Sequence, residues 1–394
     1  VHSPSRSLLP RPPPTMTSPP KQDKQSLCVD ILVGGHVQAY VDFFYLTHRP
    51  EPAASGERAA ASAAAPDQQP QAPASQLAFI KNKLTEAEVA RRQGDTRAVF
   101  GAYKQLANLF SQQLDDHKTA VYFWEKCNEI ARLTGDTECE MEASRALGIA
   151  HEALGDTKLA LTYYEKLQRL TADASASDDE KKAWVLLYNA NVVLAEAATA
   201  AGDLHEALAL RQTCLNAATS AGDKELIGKA HYEMGQAHER LRDLEELYKA
   251  IKHYEPYLKI CEELGDDAGQ GAACFALAQA HQRLEDSSRS QAYLQRFLEA
   301  ATASGKLPMQ AEACCSLGVL YNTQGDFARA VEYLERFFDL ARQLGDKHML
   351  DKARAYLGIA RGNSMLPEYQ HLVTTDLNAL LAWKNRRVPF VKTQ

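Results

Sequence analysis

The side chains in this 394-residue sequence best suited to chemistry are twelve histidines and eight cysteines. His231 and His238 stand seven apart, on one face of any helix that holds them, and His151 and His281 have similar surroundings. Such spacing suits two ligands of a zinc ion, but zinc needs three or four and no third converges in the sequence. A simpler pattern accounts for them. His151, His238 and His281 each lie three residues beyond a small residue (Gly148, Gly235, Ala278), and Tyr321 takes the same place after Gly318. A slot that tyrosine also fills is read as an aromatic packing position.

The cysteines (Cys28, Cys127, Cys139, Cys214, Cys261, Cys274, Cys314, Cys315) form no CxxC pair, and most fall on apolar faces of helical segments. Reduced, buried thiols fit that placement better than disulfides or a metal site. The acidic runs Asp178-Asp179-Glu180, Glu262-Glu263 and Asp266-Asp267 read as helix starts and solvated positions rather than acid/base pairs. No phosphate-cradling glycine loop, HExxH or GxSxG is present. The sequence therefore predicts no enzyme, cofactor or metal.

The elements that position these side chains repeat. Residues 311–346 read as two helices and two turns. Leu317, Gly318 and Tyr321 mark one apolar stripe, and Ala330, Leu334 and Phe337 mark the other, so the stripes must face each other. Gly325-Asp326 and Gly345-Asp346 close the two helices: glycine takes the left-handed conformation after a last turn, and aspartate accepts from the open N–H groups of the next helix. The same signal recurs from Gly94-Asp95 onward, with Leu114-Asp115, Arg242-Asp243 and Glu285-Asp286 substituting, at intervals of 20 between 265 and 345. The period is thus about 40, and seven pairs are expected, over 96–134, 136–171, 178–220, 224–264, 267–304, 307–344 and 347–383. Two insertions break the rhythm, ADASASDD at 172–179 and three residues near Leu244–Tyr248. The last pair keeps Leu357-Gly358 but lacks the second-helix signature, so its final helix is expected to cap the stack.

Leu-Gly-x-x-Tyr in the first helix and Ala-x-x-x-aromatic in the second resemble the tetratricopeptide repeat, whose usual length is 34. The resemblance implies an all-α, right-handed α-solenoid able to fold without a partner. It also implies that the first helices line a groove, here carrying Arg145, Glu152, Asn189, Glu196, Lys229, Tyr232, Gln236, Glu239, Gln279, Gln282 and Asn322. Chaperone-binding members hold a carboxylate with Lys, Asn and Arg. The corresponding slots here are Ile149, Glu196, Gln236 and Gln279, so a reader of terminal carboxylates is disfavoured.

Around the array (76–383) the sequence predicts a disordered Pro-rich tail (1–25, with Met16 a candidate start), an apolar helical docking segment (26–48) and an Ala/Pro/Gln linker (49–75). The segment 26–48 also reads as a strand hairpin around Gly34-Gly35; a helix is preferred, docked on the array or on a partner. A basic tail, 384–394, follows. Net charge is −7; the first 75 residues hold six basic and six acidic side chains and the last eleven hold four basic and none acidic, leaving −11 on 76–383. That balance argues against nucleic acid, and no run is apolar enough to span a membrane. Trp383, Lys384, Arg386 and Arg387 suit either an acidic partner such as a tubulin tail or the dipole of a helix C-terminus.

The segment LCVDILVGGHVQAYVDFFYLTHR before the array, with LNALLAWKNRR near its end, is similar to axonemal members of the tetratricopeptide family. That resemblance implies a scaffold in the cytoplasm and axoneme of motile cilia and flagella, bound to inner dynein-arm or intraflagellar-transport subunits. The repeats alone are shared with polarity and spindle adaptors of the Leu-Gly-Asn type and with co-chaperones, which stand as alternatives.

Overall fold

The computed structural model describes residues 24–47, 74–173 and 177–386. Among them every regular element is a helix: α1 (Lys24–Val33), α2 (Val37–Thr47), α3 (Ala74–Gln93), α4 (Thr96–Gln112), α5 (His117–Thr134), α6 (Thr137–Ala153), α7 (Thr157–Asp173), α8 (Ser177–Ala201), α9 (Leu204–Ala221), α10 (Lys224–Arg240), α11 (Leu244–Leu264), α12 (Asp267–Arg283), α13 (Ser287–Ala303), α14 (Leu307–Thr323), α15 (Phe327–Leu344), α16 (Lys347–Thr375) and α17 (Leu377–Arg386). The fold is an all-α array of tetratricopeptide-like pairs. The tail 1–23, the stretch 48–73 and Arg387 onward lie outside the described residues.

The turns work as their chemistry requires. At Gly325-Asp326, φ is +82° and the aspartate accepts from the Arg329 N–H at 3.2 Å; a cap of this kind is worth about 1 kcal/mol. Arg242 (φ +58°) and Glu285 (φ +61°) hold the same conformation without glycine. At the second turn the expected register is off by one. Asp115, not Leu114, has the positive φ (+52°), and Asp116 caps α5 through the Thr119 N–H at 3.0 Å. The three residues inserted near Leu244 are absorbed as extra helix, since α11 has 21 residues where α13 has 17.

The chain divides into two compact units, Val1–Ser177 and Asp178–Gln394, and the division falls inside the 172–179 insertion. In the first unit the apolar segment expected as one helix is two, reversed at Gly34-Gly35 (φ +77° at Gly35). Both pack on α3: Leu27, Ile31, Ala39 and Phe43 join Leu77, Ile80 and Leu84 in one core that continues to Phe100, Leu106, Phe110 and Phe123. Each of the Leu, Ile and Phe side chains contributes about 1.5–3 kcal/mol when buried. Polar contacts fix the position. Asp42, 6% exposed, accepts from Lys126 at 3.0 Å, whose ammonium lies 4.4 Å from the Tyr122 ring centroid.

In the second unit the helices from α9 to α16 each pack on the next, around Tyr254, Leu277, Leu294, Leu317, Leu334 and Phe337. The final pair departs from expectation. Position 365, where a turn residue should stand, is a methionine; α16 continues past it and through Pro367 to Thr375, and α17 packs on α16 with Trp383 edge-on to Tyr369 at 6.1 Å.

Candidate protein-binding surface

The slot after each small residue is a ring-stacking position. His151 lies parallel to Tyr163 (5.4 Å, 10°), His281 to Tyr293 (5.6 Å, 12°) and Tyr321 to Tyr333 (5.5 Å, 9°), each on the residue twelve further along. His238 stacks on His253 (5.5 Å, 14°), fifteen further because of the insertion. Beside two of these stacks the small residue admits a second ring. A Cβ on Gly148 would fall 2.2 Å from Tyr164, and one on Gly235 would fall 2.3 Å from Tyr254. These rings lock the two helices of a pair so that the first presents a fixed outer face.

The histidines otherwise serve one another. His231 and His253 share a hydrogen bond between their Nδ1 atoms at 3.1 Å, which requires one donor and one acceptor. Burial lowers the pKa of His231, and burial with the neighbouring imidazoles pushes His253 down to about 4. His238 Nδ1 lies 2.6 Å from a Glu246 carboxylate oxygen. Among the described residues no three potential ligands are grouped to hold a metal. The buried thiols are held less reactive: burial pushes Cys274 and Cys314 up to about 11.

Of the residues expected in the groove, Asn189, Glu196, Lys229, Gln236, Gln279 and Gln282 are exposed on α8, α10 and α12 of the second unit. Lys229 pairs with Glu225 at 2.7 Å. Tyr232 is half-buried, wedged between Tyr254 (5.8 Å) and Tyr257 (4.9 Å), and belongs to the packing. Glu239 accepts from the Tyr254 hydroxyl at 2.9 Å with Arg283 3.6 Å away, and Asn322 accepts from Asn363 at 3.1 Å. Arg145 (exposed) and Glu152 (half-buried) lie on α6, in the first unit. Of the basic tail, Trp383 is half-buried and Lys384 exposed at the end of α17. The side chain of Arg386 and all of Arg387 lie outside the described residues.

Sequence reasoning missed Arg211 on α9, which is ion-paired with Glu233 on α10. Burial raises the pKa of Glu233, the Arg211 guanidinium opposes that, and Glu196 adds to it. The signal was a lone arginine on an apolar helix, too common to read.

Residues 311–344 match the family model of the tetratricopeptide repeat. The match falls within the helix pair α14–α15. The chain is 25% identical to tetratricopeptide repeat protein 29 of Macaca fascicularis over 376 residues, covering 92% of this chain and 78% of that one. Against the human protein of that name it is also 25% identical, over 377 residues, with the same coverage. Among solved structures, BtubC from P. vanneervenii aligns at 17% identity with a TM-score of 0.39, over 59% of this chain and 93% of that one. No helix among the described residues is long and apolar enough to cross a membrane.

Proposed function

We propose that this chain is a non-enzymatic scaffold of the ciliary and flagellar axoneme, binding dynein-arm or intraflagellar-transport subunits. The carrying observation is the likeness to tetratricopeptide repeat protein 29 along nearly the whole chain. The N-terminal segment on which the axonemal resemblance rests is built into the same core as the first helix pair, through Leu27, Ile31 and Phe43. The exposed face Asn189, Glu196, Gln236, Gln279 and Gln282 is rich in amides, which hydrogen-bond an extended backbone or a helix surface without demanding a charge. With −11 on 76–383, contact with an acidic microtubule surface runs through a partner or through the basic tail at Lys384 and beyond.

Cross-linking mass spectrometry on isolated flagella from cells expressing the tagged chain tests this. Cross-links from α8–α14 to dynein-arm or transport subunits are the expected result. Recovery of the chain only with soluble chaperones or cortical polarity proteins would overturn the axonemal assignment and favour the co-chaperone or adaptor alternatives.

A further inference from the structure

The helix pairs before the last show what the last one leaves open. On α14, Gly318 is covered by α15: a Cβ there would meet Leu334 at 2.6 Å and the Ala330 carbonyl at 3.4 Å. Tyr164 covers Gly148 and Tyr254 covers Gly235 in the same way. In these three pairs the covering helix carries alanine, then Tyr or Leu four residues on (Ala160/Tyr164, Ala250/Tyr254, Ala330/Leu334), all almost wholly buried. The reversal that brings the covering helix back comes at Gly155, Arg242 and Gly325, each at positive φ seven residues past its glycine.

Gly358 holds the corresponding place on α16. Ala353, Leu357 and Ala360 are buried, and Asn363 donates to Asn322 of α14, so the seating of α16 on the stack is intact. Among the described residues its own cover is missing. The reversal fails at Met365, and the residue sixteen beyond Gly358, Thr374, lies on α16 itself with its hydroxyl donating to the His371 carbonyl at 2.9 Å. A Cβ on Gly358 meets nothing within 4 Å. The adjoining Ile359 is 53% exposed.

We infer that the flank of α16 at Gly358 is a docking site for an amphipathic helix of another protein. The helix lies antiparallel on α16 as α15 lies on α14, with alanine and, four residues on, Leu or Tyr seated against Gly358. One observation fixes this occupant. The site continues an interface already built in the earlier pairs, so the shape that fits is the shape of their second helices, an alanine and a Leu or Tyr four residues on. The inference rests on the scaffold reading but is tested apart from it.

The probe is a fluorescein-labelled peptide with the α15 sequence, 327–344. Fluorescence anisotropy against the full chain is expected to show saturable micromolar binding. Leu334→Ala in the peptide should weaken it at least tenfold, and so should Gly358→Leu in the protein, which fills the notch. Because Gly358 is open, Gly358→Leu should fold with an unchanged circular dichroism spectrum and a melting temperature no lower than the parent. Gly101→Leu, at another open glycine, should leave binding unchanged. No saturable binding, or binding indifferent to Gly358→Leu, overturns the inference; the second result would mean that the peptide displaces α15 itself. A concentration-dependent dimer abolished by Gly358→Leu would overturn it too, by making a second copy the occupant. None of these results bears on which axonemal subunits cross-link to α8–α14.

Discussion

The same substitution, glycine to alanine, should have opposite signs at two equivalent places of the repeat. In both cases the unfolded chain loses freedom and the helix gains about 0.5–1 kcal/mol. At Gly358 nothing stands within 4 Å of the new methyl group, so Gly358→Ala should stabilise by that amount. At Gly235 the methyl group would lie 2.3 Å from Cε1 and 2.7 Å from Cδ1 and Cζ of Tyr254. That ring cannot swing away cheaply. It is 0% exposed, sits 5.8 Å from Tyr232, and its hydroxyl is tied to Glu239 at 2.9 Å. Overpacking a fixed site costs about 1–3 kcal/mol, occasionally more. Gly235→Ala should therefore be net destabilising by roughly 0.5–2 kcal/mol, and the two variants should differ by the overpacking cost alone. Urea unfolding followed by circular dichroism gives the comparison, provided the slope of each transition stays the same. If Gly235→Ala proves as stabilising as Gly358→Ala, Tyr254 is not the fixed wedge described, and the ring-locked account of the helix pairs fails with it.

Other outcomes follow from single contacts. His253 is held near pKa 4 in the fold and returns to about 6.5 when unfolded, so the unfolded chain binds more protons between those values. Its contribution is complete above pH 6.5 and is lost as pH falls toward 4. For a half-buried ring this is about 1–2 kcal/mol after solvent screening, and His253→Phe should flatten the fall of melting temperature over that window. Asp42→Asn leaves Lys126 without its carboxylate and should cost about 1–3 kcal/mol. Hydrogen exchange should then quicken across 24–47 while the helices of the second unit keep their protection. Native alkylation at pH 8 should modify the half-buried Cys28 and Cys139 well before Cys127, Cys214, Cys261, Cys274, Cys314 and Cys315, which are buried; equal rates would contradict the burial described.

What the sequence made legible was local. A turn that must end one helix and start the next is written in two adjacent residues, because the conformation after the last turn and the capping carboxylate are both properties of those residues. The one misplaced register, at Asp115-Asp116, arose where two candidate pairs overlap and no glycine chooses between them. Gly34-Gly35 was visible as a reversal, yet composition could not say whether strands or helices met there; the packing of Leu27, Ile31, Ala39 and Phe43 on α3 decides it. What stayed hidden depends on two distant parts of the chain at once. Asp42 and Lys126 are 84 positions apart, and neither looks unusual until the other is beside it. Tyr232 fits a groove position by its place on α10 and becomes a packing residue only because Tyr254 and Tyr257 arrive from α11. The last pair joins the two lessons. Its missing stop at Met365 was readable as a departure from the pattern, but the consequence, an uncovered Gly358, is a statement about what fails to fold back, and it became visible only against the covered glycines of the earlier pairs.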